Sequence, residues 1–210
     1  MSDEQTYDFV IVGSGAASVC AALVMKDAGK RALIIEKREY FGGATAMSGG
    51  VMWIPCNSVQ REAGVEDTPE MARAYLDACA GPHSKGSSAA RRAAFLEAGP
   101  KAVDMLRGKG MKLVHAEGYS DYHETEYPGG VARSRAIVPK PFNLLELGEH
   151  SGEIDTTRAM PPMMTHEFGH LSRFGSDWAS RKAMLRVGWR MMQNKLPGRR
   201  IVGTGRSLQG

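Results

Sequence analysis

Tyr7-Asp8-Phe9-Val10-Ile11-Val12-Gly13-Ser14-Gly15-Ala16-Ala17-Ser18 is the stretch on which the fold turns. Its first half, YDFVIV, is β-branched and aromatic, ends at a glycine, and reads as a buried parallel strand. The Gly-Ser-Gly turn then opens an apolar segment, Ala16 to Ala28, rich in Ala, Val, Leu and Met, which Gly29 closes as a helix C-cap would. Arg31 to Glu36 (RALIIE) reads as a second buried strand. Strand, glycine turn, helix and strand make a βαβ unit over 7–36, a span of about thirty residues. The fold class expected is therefore α/β, a Rossmann-like, doubly wound arrangement.

The turn carries chemistry as well as topology. Gly13 permits the tight bend, and Gly15 lets backbone approach a pyrophosphate at the positive end of the helix. The third position of this fingerprint is normally Gly or Ala and here is Ser18. Glu36 follows Gly13 by roughly twenty residues, at the end of the second strand, where a carboxylate accepts hydrogen bonds from ribose hydroxyls and repels a 2′-phosphate. Next comes Phe41-Gly42-Gly43-Ala44-Thr45-Ala46-Met47-Ser48-Gly49-Gly50. Two glycine pairs flanking Thr and Ser offer bare amides and hydroxyls to a planar ring system. A nicotinamide cofactor needs no such loop there, so a flavin dinucleotide is expected.

Outward from this unit, Thr68-Pro69 predicts a helix start, with Thr as N-cap and Pro at the first helical position. That helix runs to about Ala80 and stops at Gly81-Pro82. A second helix is expected over Ser88 to Ala98, and another from Pro100 to near Gly108. Lys112 to His115 reads as a strand, residues 117–162 as irregular, Asp177 to Leu196 as one helix, and Arg200 to Val202 as a short strand. On the Asp177–Leu196 helix, Met184, Val187 and Met191 form the expected apolar face, and Lys182, Arg186 and Arg190 a basic stripe.

Composition excludes whole classes. Of 210 residues, 42% are apolar and 24% charged, near the averages of globular chains, so a disordered or collagen-like polymer is ruled out. Glycine, at 25, stands well above the usual share of about 7%, and it clusters where backbone approaches something closely. Cys20, Cys56 and Cys79 match neither a metal knuckle nor a disulfide framework. The acidic start MSDEQTYDF is no signal peptide, and the apolar stretch Phe9–Met25 is broken by Gly-Ser-Gly, so a cytoplasmic protein without a transmembrane segment is expected. Charge is uneven. Residues 1–70 carry 6 basic and 10 acidic side chains, and residues 158–210 carry 10 and 2. A basic segment of this kind suits nucleic acid or a membrane surface, but no basic run exceeds two residues. A basic helix face paired with acidic surface elsewhere is the expectation, and nucleic acid is not expected as a partner.

The chain resembles the fumarate reductase/succinate dehydrogenase flavoprotein superfamily in FVIVGSGAA, in the Glu36 strand end and in GGATAMSGGVMWIP. Within it, Ser48 to Pro55, Gly118-Tyr119-Ser120-Asp121-Tyr122-His123, Pro128-Gly129-Gly130 and Pro139-Lys140-Pro141-Phe142 look most like 3-ketosteroid Δ1-dehydrogenases. The ending Gly203-Thr204-Gly205-Arg206-Ser207-Leu208 resembles the family's small-residue turn. The resemblance implies a GR2-type FAD-binding domain interrupted by a substrate-covering domain. It implies that 1–210 corresponds to the N-terminal portion of such a domain, incomplete at the C-terminus, with the covering domain and final FAD segment beyond it. Cofactor-binding residues carried over are Gly13, Ser14, Gly15, Ala16 and Ala17 at the pyrophosphate and Glu36 at the ribose, with Lys37 beside it. Gly43, Ala44, Thr45, Ser48, Gly49 and Gly50 lie along the flavin. Succinate dehydrogenases attach FAD through a histidine in this loop, where this chain has Gly43, so FAD is expected to be non-covalent.

In the ketosteroid branch a tyrosinate removes a proton from one ring carbon while the flavin takes a hydride from its neighbour. Tyr119 and Tyr122 are the candidates carried over, with Tyr119 favoured. A phenol titrates near about 10 and needs donors or positive charge close by to act at neutral pH. The substrate implied is small and apolar, a 3-ketosteroid first and an enoate or fumarate-type acceptor second, and the electron acceptor is unreadable. A flavin-binding fragment without catalysis is a further alternative.

A rival from another class is His166-Glu167-Phe168-Gly169-His170, a literal H-E-x-x-H. On a helix that spacing gives two zinc ligands and a general base. Gly169 inside the motif, Pro161-Pro162 before it, and the lack of a third ligand in register all count against a zinc hydrolase, and no metal site is expected.

Overall fold

The computed structural model describes residues 5–82, 86–156, 160–171, 173 and 176–208. The strands are β1 (Phe9–Val12), β2 (Ala32–Ile35), β3 (Met52–Trp53), β4 (Leu113–His115), β5 (Ala136–Pro139), β6 (Phe142–Asn143) and β7 (Ile201–Val202). The α-helices are α1 (Ala16–Asp27), α2 (Gly43–Ala46), α3 (Ser58–Glu62), α4 (Pro69–Ala80), α5 (Ala89–Gly108), α6 (Trp178–Gln193) and α7 (Thr204–Ser207). Two 3-10 segments, Leu144–Gly152 and Thr165–His170, join them. The chain divides into two compact units. One combines Met1–Gly50 with Pro141–Gly210, and the other is the continuous stretch Val51–Lys140.

In the first unit β1 and β2 pair in parallel, Phe9 opposite Ala32 through Val12 opposite Ile35, and α1 packs against both. This is the βαβ unit that the opening residues specify. The strands are not buried as expected: Phe9, Val10, Val12 and Ile35 are exposed. A parallel strand is buried only where layers cover both of its faces, and among the described residues this sheet has two strands and α1. The unit's core lies elsewhere, in Ala46, Leu144, Ile154 and Val202, with Phe41, Phe142 and Leu147 against them. Ala46 and Phe41 come from the 41–50 loop and the rest from beyond residue 140, so the core joins the two chain segments.

The second unit is a three-stranded sheet ordered β3-β5-β4, antiparallel throughout. Its core is Val59, Val103, Leu113 and Ile137, with Met52, Ile54 and Met111 beside them. Helix α4 starts as its sequence dictates, the Thr68 hydroxyl accepting from the Met71 N–H at 3.2 Å with Pro69 in the first turn. Two expectations are corrected here. The segment 88–108 is one helix running through Pro100, not two. Proline costs a helix its hydrogen bond to the residue four back. Here Val103 and Leu106 beyond it and Gly99 before it are buried, so packing along one line holds both halves together. Gly99 lies so close to Ile54 that an added Cβ would meet its Cγ2 at 3.0 Å. The stretch 117–162 is also less irregular than expected, since it contains β5, β6 and a 3-10 segment. Residues 157–159 of that stretch lie outside the described residues.

Helix α6 is capped by Asp177, whose carboxylate accepts from the Ser180 N–H at 2.7 Å. Its apolar face differs from the expected one. Val187 is buried, but so are Ser180 and Ala183, and Met191 is exposed.

Candidate functional site

The first unit holds a glycine-lined cradle. Gly13 takes φ +88° and donates its N–H to the Ile35 carbonyl at 2.7 Å, which ties the turn to the end of β2. Gly15 is the N-cap of α1 and has no side chain to cap with. The Thr45 hydroxyl supplies that function from the second loop, accepting from the Ala16 N–H at 3.1 Å. The first turn of α1 carries no acidic side chain, so its positive end suits an anion. A Cβ at Gly13 would meet nothing within 4 Å, and one at Gly43 would approach the Gly15 backbone at 3.7 Å. Ala17 and Ala44 are exposed at this rim.

Ser14 behaves differently from its expected place at the pyrophosphate. It is buried, and its hydroxyl donates to Glu36 Oε2 while accepting from the Gly42 N–H at 2.9 Å. Its own N–H also donates to Glu36 Oε2, at 3.0 Å, and the Arg38 N–H donates to Oε1 at 3.0 Å. The Ser14 hydroxyl first, and then the Arg38 amide, hold the Glu36 carboxyl below the usual carboxylate range. Glu36 is therefore an anion at neutral pH and stands where a ribose acceptor is expected. Lys37 follows it as an exposed bend residue.

In the second loop Gly42, the N-cap of the single-turn α2, and Gly43, its first residue, adopt φ +110° and +51°. The Ser48 hydroxyl donates to the Thr45 carbonyl at 2.7 Å and accepts from the Gly50 N–H at 3.0 Å. Ser48 and Gly49 are exposed, whereas Gly50 is buried beneath the turn at 203–205. The Gly205 N–H donates to the Ser48 carbonyl at 3.1 Å, and the Thr165 hydroxyl donates to the Gly49 carbonyl. A Cβ at Gly50 would lie 2.7 Å from Thr204 backbone, and one at Gly205 would collide with the Thr45 carbonyl. Thr165 and Thr204 were not foreseen as supports of this loop. The Gly203-Thr204-Gly205 spacing is the one signal that marks the second. Positive-φ glycines open to close approach, a helix start without acidic side chains and an ionised Glu36 together fit the pyrophosphate, ribose and ring of FAD.

The second unit holds a cavity of about 420 Å³, within the range of roughly 300–1,000 Å³ typical of small-molecule sites. Trp53, Tyr75, Leu76, Tyr119 and Tyr127 give it aromatic and apolar walls. Among the described residues no Lys or Arg lines it, and His123, which does, has Nδ1 3.0 Å from Glu126 Oε2. Both candidate phenols border it, but unequally. Tyr122 is 98% exposed and Tyr119 37%. Burial raises the Tyr75 phenol, opposed by a hydrogen bond from the His123 N–H.

Beneath this wall lies a network that sequence reasoning missed. Arg135 is fully buried and forks onto Asp67, Nε to Oδ2 at 2.9 Å and Nη2 to Oδ1 at 2.7 Å. Its Nη1 donates to Asp121 Oδ2 at 2.6 Å, and Nη2 also reaches the Gly129 carbonyl at 2.7 Å. Asp121 accepts from Trp53 Nε1 at 2.7 Å, and the guanidinium lies 5.6 Å and 5.5 Å from the Trp53 and Tyr75 ring centres. Burial would lower the Arg135 guanidinium; the carboxylates outweigh it and hold it above its ordinary value.

The H-E-x-x-H motif forms a 3-10 turn, Thr165–His170. Its Glu167 is buried and grips Arg190, with Nη1 2.6 Å from Oε2, and His170 Nδ1 lies 2.9 Å from the Ser180 hydroxyl. The glutamate that would act as a base in a zinc hydrolase is thus an anchor for α6.

Comparison with known proteins agrees with this geometry. The chain is 37% identical over 211 residues to a 3-oxosteroid 1-dehydrogenase of Mycobacterium tuberculosis, covering 98% of this chain and 37% of that protein. It is 34% identical over 179 residues to a 4-oxocyclohexanecarboxylate 2-dehydrogenase of Sinomonas cyclohexanicum, covering 82% and 30%. The crystal structure of a 3-ketosteroid Δ1-dehydrogenase from Sterolibacterium denitrificans, in complex with 1,4-androstadiene-3,17-dione, superposes with a TM-score of 0.77 at 27% identity, covering 97% of this chain and 37% of that one. The chain thus spans about a third of these relatives' length, 30% to 37%. A family model described as FAD binding domain matches residues 8–208, nearly all of the chain, and with the cradle it fits this places the protein in the FAD binding domain family.

Proposed function

We propose that this chain is the FAD-binding part of a flavin dehydrogenase that oxidises a CH–CH bond of a neutral, apolar cyclic ketone of the 3-ketosteroid class. The observation that carries the substrate class is the cavity in the 51–140 unit, aromatic-walled and without Lys or Arg among its described lining residues. A carboxylate substrate, as a fumarate-type reductase would take, calls for a cation there. The nearest guanidinium, Arg135, is already committed to two aspartates.

Gly13, Gly15, Ala16 and Ala17 would hold the pyrophosphate, Glu36 the ribose, and the 43–50 loop the ring. Ser14 acts one step behind, by fixing Glu36 and the loop to one another. Non-covalent FAD, once bound, supplies the two-electron acceptor for hydride. Tyr119 is the phenol we assign to the proton, because it lines the cavity and is the more enclosed of the two. The test is a flavin absorbance spectrum of the purified protein, followed by turnover of 3-ketosteroids with an artificial electron acceptor. Tyr119→Phe is expected to retain FAD and to lose turnover by about two orders of magnitude or more. Unchanged turnover in that variant removes the assignment, and a preference for carboxylate substrates removes the substrate class.

A further inference from the structure

Helix α6 wears its pattern inside out. Its buried residues, Ser180, Ala183 and Val187, are small. Its large apolar side chains face outward: Trp178, Leu185, Trp189 and Met192 are 66%, 67%, 59% and 60% exposed. Their intervals of seven, four and three residues set them within about 60° of one another around the helix axis. Leu196, also exposed, continues the row just past the helix end. Cations rim this stripe. Arg181 and Lys182 flank it closely, Arg186 lies further round, and Lys195 and Arg199 follow the helix, all exposed. Arg186 also stands 4.0 Å from Glu167. Of the two acids in residues 158–210, Asp177 caps the helix and Glu167 is buried against Arg190 and Arg186; among the described residues no carboxylate pairs with Lys182, Lys195 or Arg199, which keep the rim cationic.

We propose that α6 is an interfacial helix that docks this unit on an anionic phospholipid surface, independently of the reaction. A nucleic acid would need cations at the centre of the face, to meet phosphates. Here the centre is two indoles and two aliphatic chains, and the cations lie at the sides. That order matches a helix lying in the headgroup region, its Trp and Leu entering the acyl boundary and its Lys and Arg reaching outward to phosphate. No helix among the described residues is long and apolar enough to cross a bilayer, so the contact is along the surface.

The experiment mixes the full chain, loaded with FAD, with phosphatidylcholine vesicles and with vesicles that also contain phosphatidylglycerol. It reads co-sedimentation and tryptophan emission. The expected result is binding and a blue shift with the anionic vesicles, both weakened by salt. Lys182→Glu should reduce partitioning by about fivefold or more. Trp178→Gln with Trp189→Gln should reduce it about tenfold or more, with thermal midpoint and elution volume unchanged. Four results overturn the proposal: no partitioning into either vesicle, equal partitioning into both, undiminished partitioning of the double variant, or a lowered midpoint or changed elution volume in that variant. The last would show that protein, from this chain or a second copy, covers the stripe.

Discussion

Ser14 shows how one hydroxyl can serve two loops. It donates to Glu36 and accepts from Gly42, so the ribose acid and the flavin loop share an anchor. The bond also sets a pH dependence. A carboxyl whose folded value is depressed adds stability above its unfolded value and loses it as pH falls through the folded one. Ser14→Ala is therefore expected to be less stable than the parent at neutral pH, with the gap closing on acidification through the carboxylate range, as read by denaturant midpoints across pH. At the other side of the loop, Gly205 faces the Thr45 carbonyl with no room for a methyl group. Gly205→Ala should cost about 3 kcal/mol, by overpacking against backbone that cannot yield, and should loosen the Thr45 cap on α1. A denaturation midpoint and FAD retention check it.

Among the elements, the β3–β5–β4 sheet depends most on one side chain. Arg135 leaves β5's edge to join Asp121 and Gly129 of the preceding loop to Asp67, 68 residues away in sequence. Replacing it strands two buried carboxylates. Arg135→Met is expected to cost about 3–5 kcal/mol, measured by urea unfolding, and Asp67→Asn with Asp121→Asn in the same chain should recover much of that loss. The element scale also shows what could be read in advance. The βαβ unit, the α4 cap and α6 were legible because each rests on local signals: an apolar run, a Thr-Pro start, an Asp before a periodic segment. The continuous α5 was not, since the rule against Pro100 is local and the packing that overrules it is not. Arg135 looked like any other arginine. Nothing within a few residues announces that Asp67 and Asp121 meet it. The stripe on α6 was misassigned for a related reason, because periodicity marks an apolar face without saying which way it points.

At the scale of the whole molecule, each of the two units has its own core. Cooperative opening tends to follow such boundaries. Arg135→Met should therefore raise amide exchange through β3, β4 and β5 while leaving the exchange of β1, α1 and β2 close to that of the parent. A uniform rise across both would show one cooperative unit instead. The division also orders events during synthesis. The 51–140 unit is continuous and can close on itself once translated. The cradle's core cannot, because Ala46 waits for Leu144, Ile154 and Val202. At translation rates of about 5–20 residues per second, the 41–50 glycine loop spends on the order of ten seconds without the residues that bury it. During that interval the nascent chain carries a half-built nucleotide site and uncovered strands, so this segment is the one for which a ribosome-bound chaperone would matter.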